Sequence, residues 1–135
     1  MLGLTDERRR FLASMPNAVL ATVRRDGSPQ VSPVWFLWDE PELLISTVRG
    51  AAKTANIRRD PRVVACIDDP ETGRYASLSG ECRIVEGVRV EPMTLALIRK
   101  YRSEQLAQEH WQRIREPGDR IILVVAGTRW TWRRL

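Results

Sequence analysis

The sequence contains few of the residues from which side-chain catalytic sites are built. Two cysteines and one histidine occur in 135 residues, and two cysteines with no histidine close by do not form a zinc site. Glycine-rich nucleotide loops and the H-E-x-x-H zinc motif are also missing. His110 forms no triad with a serine from its spacing, and it is predicted to be a surface or helix-packing residue. The sequence predicts no metal site and leaves any catalytic residue unknown, so a cofactor would have to carry a reaction.

The sequence also lacks an apolar run of about 18 residues, which a membrane-spanning helix requires. Its first residues, MLGLTDERRRFLASM, do not have the charge-then-apolar order of a secretory signal. We therefore expect a cytoplasmic protein without a membrane partner, in which Cys66 and Cys82 are reduced and buried.

Lysine is scarce although the chain is basic. The net charge is +5, and two of the 22 cationic residues, Lys53 and Lys100, are lysine. The arginines are dispersed among acidic residues and form no long block. This pattern is unlike a basic nucleic-acid arm, so the charge favours solubility or a small anionic ligand over a nucleic-acid partner.

The order of apolar, turn and capping residues predicts a mainly β protein with flanking helices, in one domain that spans residues 1–135. Helices are predicted over 5–15, 53–59, 92–102 and 103–114, and strands over 18–24, 29–38, 43–47, 63–68, 75–85, 120–126 and 128–133. Pro33 suits an edge strand, Gly80 a bulge, and Gly127 a turn between the last two strands. The hairpins indicate an antiparallel sheet of six or seven strands that closes into a small barrel.

The stretch 43–62 joins a strand to a short helix through a glycine turn. Such a turn leaves backbone N–H groups at the helix start free for an anion. Hydroxyl and cationic side chains gather there: Ser46, Thr47, Arg49, Lys53 and Thr54. These side chains suit a phosphate, but an ordinary strand-to-helix connection with solvated basic residues fits the same pattern.

Tryptophan is the main aromatic residue, at positions Trp35, Trp38, Trp111, Trp130 and Trp132. Packing in the core or at a subunit interface explains most of them. A sharper alternative is that Trp35 or Trp130 lines a pocket for a flat ligand. Stacking on single-stranded nucleic acid is disfavoured, because the cations are not placed along the aromatic strands.

Several motifs together resemble a known superfamily. They are the hairpin DGSPQVSPV, the strand LLIST, the loop ending in AAKT, the segment NIRRDPRV, the strand YASLSGECRIV and the closing RIILVVAGTRWTWR. This combination is similar to the pyridoxamine 5′-phosphate oxidase-like, FMN-binding split-barrel superfamily, and within it to the branch that uses the deazaflavin coenzyme F420. The resemblance implies a split β-barrel and a homodimer with two cofactor sites at the subunit interface.

The resemblance also implies roles for particular residues. The residues implied to bind the cofactor phosphate are Lys53 and Thr54, together with Ser46 and Thr47 on the preceding strand. Arg49 is the nearest arginine in this loop and is implied to take part. Those implied for the ring are Gln30, Ser32, Pro33 and Val34 on the second strand, where Pro33 can contact a ligand only through its carbonyl. Tyr75 and Trp130, with Arg74, are implied to reach the site of the partner subunit.

The activity implied is hydride transfer between reduced coenzyme F420 and a small conjugated or carbonyl substrate. Two alternatives fit the same residues: an FMN-binding oxidase or reductase of the same superfamily, and a non-catalytic protein that binds a flavin, F420 or haem. The partners expected are a second copy of the chain and a small molecule, without nucleic acid.

Overall fold

The computed structural model describes residues 3–135 and shows a mainly β chain with four α-helices. The helices are α1 (Asp6–Ser14), α2 (Ala52–Arg59), α3 (Val90–Arg99) and α4 (Glu104–Ile114), with a 3₁₀ turn over Gly87–Arg89. The strands are β1 (Ala18–Val23), β2 (Pro29–Val34), β3 (Leu37–Asp39), β4 (Glu42–Val48), β5 (Arg62–Asp69), β6 (Arg74–Val85) and β7 (Arg120–Arg133). They form one antiparallel sheet in the order β2-β1-β5-β6-β7-β4-β3, curled into a half-barrel. The predicted fold class is confirmed.

Helix α1 begins at the predicted threonine cap. The hydroxyl oxygen of Thr5 accepts a hydrogen bond from the backbone N–H of Arg8 at 3.1 Å, and two acidic residues lie in the first turn. Both features stabilise a helix start, since they satisfy a free N–H and complement the helix dipole. Phe11 and Leu12 in the second half of the helix are buried in the core of the half-barrel.

The two edge strands, β2 and β3, are consecutive in the chain but lie at opposite ends of the sheet. The prediction of one strand over 29–38 is therefore wrong. The chain leaves β2 after Val34, passes through Trp35 and Phe36, and begins β3 beside β4. Pro33 lacks an N–H for a ladder, and it lies on an edge strand as predicted. The link through Trp35 and Phe36 thus joins the two ends of the curled sheet.

The last strand runs unbroken, so the predicted turn at Gly127 is wrong. β7 passes through this glycine and pairs with β6 on both sides of it. The position requires glycine for close packing, because a Cβ atom on Gly127 would lie 2.0 Å from Leu78 Cδ1. The predicted bulge is confirmed, since the register of β6 against β7 shifts between Ser79 and Gly80.

The sheet has an apolar core on each side. Side chains inside the half-barrel include Leu20, Phe36, Leu43, Ile45, Ile67 and Leu78. Helices α3 and α4 cover a second core on the other side of β4 and β7, which includes Leu44, Leu95, Ile98 and Trp111. Successive residues of β7 alternate between the two cores, with Ile121 in the first and Ile122 in the second. This double burial explains the continuous apolar run IILVV.

The half of the sheet formed by β2, β1 and β5 exposes apolar side chains on its outer face. Val19, Val31 and Val64 are 42%, 62% and 38% exposed, and a groove of about 720 Å³ runs along this face. Both cysteines are free thiols. Cys82 is buried as predicted, and burial raises its pKa to about 12, whereas Cys66 is only partly buried.

Candidate functional site

A cavity of about 260 Å³ opens between the end of β2, the start of α2 and the helices α3 and α4. Its lining residues are Pro33, Val34, Trp35, Ser46, Lys53, Leu97, Ile98, His110, Ile114 and Arg120. Four of them are among the cofactor residues implied by the sequence: Pro33, Val34, Ser46 and Lys53. The fold therefore places part of the implied ring-binding strand and part of the implied phosphate turn on one cavity.

Lys53 lies in the first turn of α2, where the backbone is well held. The carbonyl oxygen of Val48 accepts hydrogen bonds from the Ala51 N–H at 3.2 Å and from the Thr54 hydroxyl at 2.8 Å. Ala51 is the N-cap and offers no side-chain cap, so the first N–H groups of the helix can bind an anion. Within residues 3–135, Lys53 has no ion-pair partner. Its ammonium group is therefore available to a ligand.

Arg120 provides a second cation, which the sequence patterns did not reveal. It is the first residue of β7, and its Nη2 donates a hydrogen bond to Ser46 Oγ on β4 at 2.5 Å. Its Nε is buried and has no acceptor in the described part of the chain. Burial lowers the pKa of Arg120, but a guanidinium group stays charged at neutral pH. A buried donor without an acceptor is costly, so an anion in the cavity would relieve a local deficit.

An aromatic wall bounds the cavity on the side of the helices: Trp35 and His110 line the cavity, and Tyr101 stacks against Trp35. The rings of Trp35 and Tyr101 stack with centroids 4.1 Å apart and planes 10° apart, and the His110 ring centroid lies 5.9 Å from that of Trp35. The hydroxyl oxygen of Tyr101 also accepts a hydrogen bond from the Phe36 N–H at 2.9 Å. The tyrosine thus holds both residues of the link between β2 and β3, which fixes this wall.

His110 lies on α4 and is partly exposed, which agrees with its prediction as a surface or helix-packing residue, and it also lines the cavity. Burial lowers its pKa below the ordinary value, and the positive charges of Arg113, Arg102 and Arg120 lower it further. The imidazole is therefore neutral at neutral pH. No hydrogen bond contributes to this shift.

Two further residues implied for the cofactor are on β2 beside α2. Gln30 Oε1 accepts a hydrogen bond from Asn56 Nδ2 at 2.7 Å, and the same nitrogen donates to Thr22 Oγ1 at 3.0 Å. Ser32 is two residues further along the strand and therefore shares the face of Gln30. The amide of Asn56 ties the helix that carries Lys53 to the implied ring-binding strand.

The remaining phosphate candidates do not line the cavity. Thr47 is 8% exposed and faces the opposite side of β4 from Ser46. Thr54 is buried and its hydroxyl is bound to the carbonyl oxygen of Val48. The Arg49 side chain contacts Glu86 Oε1 at 3.2 Å and lines a second groove, which meets the cavity at Arg120. Thr54 and Arg49 hold the turn in place through these contacts.

The three residues implied for a partner subunit lie elsewhere on the chain. Tyr75 is on β6, and Arg74 beside it pairs with Asp69 at 3.3 Å. Trp130 stacks on Trp132 with centroids 4.5 Å apart. None of the three lines the cavity of its own subunit in the described chain, and their contact with a partner stays a prediction.

The sequence matches the family described as Pyridoxamine 5′-phosphate oxidase over residues 4–132. The chain belongs to this family. Its fold is flavin-binding, and the predicted split-barrel superfamily is confirmed. In residues 3–135 no helix is long and apolar enough to cross a membrane, and no three His, Cys, Asp or Glu side chains are grouped to hold a metal ion.

Solved structures of similar fold superpose over nearly the whole chain. An F420 reductase is 27% identical, with 95% of this chain and 98% of that chain covered and a TM-score of 0.75. A conserved hypothetical protein from Mycobacterium tuberculosis is 23% identical, with 97% and 85% covered and a TM-score of 0.82. The General Stress Protein 26 from Bacillus anthracis is 20% identical, with 92% and 88% covered and a TM-score of 0.68. The last two similarities concern the fold alone.

The cavity residues fit the phosphate end of a flavin-type cofactor. Lys53, Arg120 and the first N–H groups of α2 are donors, and no acidic side chain lines the cavity in the described chain. The cavity volume of about 260 Å³ is below the roughly 300–1,000 Å³ of pockets that enclose a whole ligand. The cavity would therefore hold only part of such a cofactor.

Proposed function

We propose that this chain is an oxidoreductase that binds coenzyme F420 and transfers a hydride between the reduced deazaflavin and a small conjugated or carbonyl substrate. The observation that carries the proposal is the cavity beside β2, which Lys53 and Arg120 line without an ion-pair partner in the described chain. The similarity to an F420 reductase over 95% of the chain supports this cofactor.

In this proposal, Lys53, Ser46 and Arg120 hold the cofactor phosphate. The backbone of β2, from Gln30 to Val34, would hold the ring, and Pro33 could contribute only its carbonyl oxygen. The protein binds and orients the reactants, which is the contribution expected of a cofactor-dependent enzyme. When bound, the reduced ring supplies the hydride, and solvent supplies the proton that completes the reduction.

FMN is the second candidate cofactor, because the fold is flavin-binding. A phosphate anchor does not discriminate between the two rings. In that case the chain would be an FMN-dependent oxidase or reductase that uses the same cavity.

The proposal includes a homodimer whose second subunit completes the site. Pro33 lines the cavity and lies on the outer face of β2 with Val31, which is 62% exposed. A second copy packed on this apolar face would cover the open side of the cavity and the part of the cofactor that the cavity does not hold. Light scattering of the purified protein should give the mass of a dimer, and Val31→Glu should shift it towards monomer. A monomeric wild-type protein would contradict the shared site.

Titration of the purified protein with F420, FMN and haem tests the cofactor directly. Lys53→Ala should weaken binding of the preferred cofactor by about 1.5–3 kcal/mol, the range for a hydrogen bond to a charged group. This corresponds to roughly tenfold to 150-fold in the dissociation constant. Arg99→Ala is the matched control, because Arg99 is an exposed cation that pairs with Glu104 on the helical side.

Each outcome of the titration has a distinct meaning. Binding of F420 followed by hydride transfer to a conjugated substrate supports the proposal, whereas tighter binding of FMN selects the second candidate. Cofactor binding without hydride transfer to any substrate of this class would indicate a carrier protein. If none of the three ligands binds at micromolar concentration, the cofactor proposal fails.

A further inference from the structure

The described residues that line the cavity carry positive charge and include no carboxylate, although Asp119, next to Arg120 in the chain, attracts the charge of that arginine. Lys53 approaches from α2 and Arg120 from β7, and the described lining includes no carboxylate. Ser46 already accepts a hydrogen bond from Arg120. The only other titratable lining side chain is His110 from α4. The cavity therefore combines two permanent cations with one group whose charge changes near neutral pH.

The His110 imidazole is neutral at neutral pH because burial and the positive charges around it lower its pKa. Burial is the largest cause of its lowered pKa, followed by Arg113 on its own helix, Arg102 between α3 and α4, and Arg120 on β7. Lys53 on α2 lines the same cavity and adds a positive charge. The link through Trp35 carries no charge. No acidic group contributes to the shift, so in residues 3–135 no carboxylate offsets these positive charges at the ring.

An oxyanion bound in the cavity would favour the protonated form of His110 instead of the neutral form. A doubly charged tetrahedral anion between Lys53 and Arg120 neutralises the charges that oppose protonation of the ring. It also offers acceptor oxygens to an imidazole that has no hydrogen-bond partner in the part of the chain that the structure describes. A nearby negative charge favours the charged form of histidine.

We propose that His110 is a further ligand of the anionic group held in this cavity, and that it takes up a proton from solvent when the anion binds. The inference rests on the proposed function only for the identity of the anion, which there is the cofactor phosphate. Proton uptake makes the site bind its anion more tightly in mild acid than at neutral pH, because the complex carries one more proton than the free protein.

The chain has one histidine, so its imidazole signals in an NMR spectrum belong to His110 without assignment. Sulfate is the probe, because it mimics a phosphate group and does not titrate between about pH 5 and 8. The pKa of His110 should rise by about one unit on saturation with sulfate, from below 6.5 in the free protein. Sulfate should then bind several-fold more tightly at about pH 5.5 than at about pH 7.5. A rise of one pKa unit sets an upper limit of about tenfold, which is approached only well below the pKa of the free histidine.

Three variants separate the proposed role from a general charge effect. His110→Gln keeps a hydrogen-bond donor but cannot be protonated, so sulfate affinity should change by less than about twofold between the two pH values. Arg120→Met should raise the histidine pKa of the free protein, because it removes a cation that lowers it. Arg99→Ala, whose side chain pairs with Glu104, should change neither quantity.

The inference and the proposed function can fail separately. If F420 and FMN do not bind but sulfate still raises the histidine pKa, the cofactor proposal falls and the role of His110 stands. A histidine pKa that is unchanged or lowered by bound sulfate overturns the inference, even if a cofactor binds tightly. A pH dependence of sulfate affinity that persists in His110→Gln also overturns it.

Discussion

The ammonium group of Lys100 lies 3.5 Å from the centroid of the Phe36 ring and donates a hydrogen bond to the Phe36 carbonyl oxygen at 3.0 Å. The same nitrogen donates to the carbonyl oxygen of Met15 at 2.7 Å. One cation at the end of α3 therefore fastens the segment after α1 to the link between β2 and β3. That link carries Trp35, so the contact supports the aromatic wall of the cavity.

Lys100→Met should lower the free energy of unfolding by about 2 kcal/mol, because two carbonyl groups lose a charged donor in a half-buried position. Urea unfolding, followed by circular dichroism, measures the change. The adjacent Arg99→Met is the control: its exposed ion pair with Glu104 should contribute less than about 1 kcal/mol. Equal losses in the two variants would show that the carbonyl contacts add no stability.

The stability contributed by Lys100 should depend on pH in alkaline solution. Burial lowers its pKa from 10.5 to about 8. The folded state then binds fewer protons than the unfolded state between about pH 8 and 10.5, so this group makes the free energy of unfolding rise with pH in that window and leaves it constant below. The difference between wild type and Lys100→Met should shift in favour of wild type between about pH 7.5 and 10. A shift in the opposite direction would mean that the carbonyls and the ring raise the pKa.

Gly80→Ala should destabilise the sheet by about 3 kcal/mol, the upper part of the range for overpacking. A Cβ atom on Gly80 would lie 2.1 Å from the carbonyl oxygen of Ala126, and this neighbour is backbone that cannot rotate away. Gly50→Ala is the matched control, because nothing lies within 4 Å of its Cβ position, and it should change stability by less than about 0.5 kcal/mol. Thermal unfolding of both variants measures these changes in stability, and an equally small change in Gly80→Ala would contradict the prediction.

Asn56 and Gln30 should be energetically coupled. A double-mutant cycle with Asn56→Ala and Gln30→Ala should give a coupling energy of about 1 kcal/mol, because the two side chains share a hydrogen bond in a partly buried site. A parallel cycle of Asn56→Ala with Ser32→Ala should give a coupling energy below about 0.3–0.5 kcal/mol, as expected for side chains that share no partner. Coupling of equal size in both cycles would indicate a general loosening of α2 against β2.

Arg120 and Arg49 should differ in their effect on cofactor affinity. Arg120→Met should weaken binding by about tenfold or more, since it removes a cation from the cavity. Arg49→Met should weaken it by less than about threefold, because Arg49 pairs with an exposed carboxylate and such a pair contributes little. The titration used for Lys53→Ala measures both. A large loss in Arg49→Met would instead place this residue on the phosphate, as the sequence motif implies.

The fold class was predictable because local signals were consistent along much of the chain. Thr5 marks a helix start, Gly80 a bulge and Pro33 an edge strand, and each acts through its own backbone chemistry. The two errors arose at positions where contacts between residues distant in sequence determine where a strand begins and ends. Gly127 serves the close packing of Leu78, and the continuity of 29–38 is broken because the sheet curls. These errors offset one another, so the number of strands was still right.

Half of the candidate site was visible in the sequence, since Ser46 and Lys53 are close along the chain in a recognisable motif. Arg120 could not be predicted as a site residue, because no local sequence motif distinguishes it from the other arginines among the twenty in the chain. The pairing of β4 with β7 brings it to Ser46, and such long-range register cannot be deduced from a single sequence. For His110, no local signal showed which face of α4 would meet the cavity.

The different surroundings of the two lysines have a practical consequence for chemical labelling. The Lys100 nitrogen is held by two carbonyl oxygens and an aromatic ring, whereas Lys53 opens into the cavity. The other side-chain cations are arginines, which amine-acylating reagents do not attack. The cavity thus holds the most accessible side-chain amine of the described chain. Mass spectrometry of the acylated protein would report occupancy of the site as protection of one residue, without a tag or a substitution.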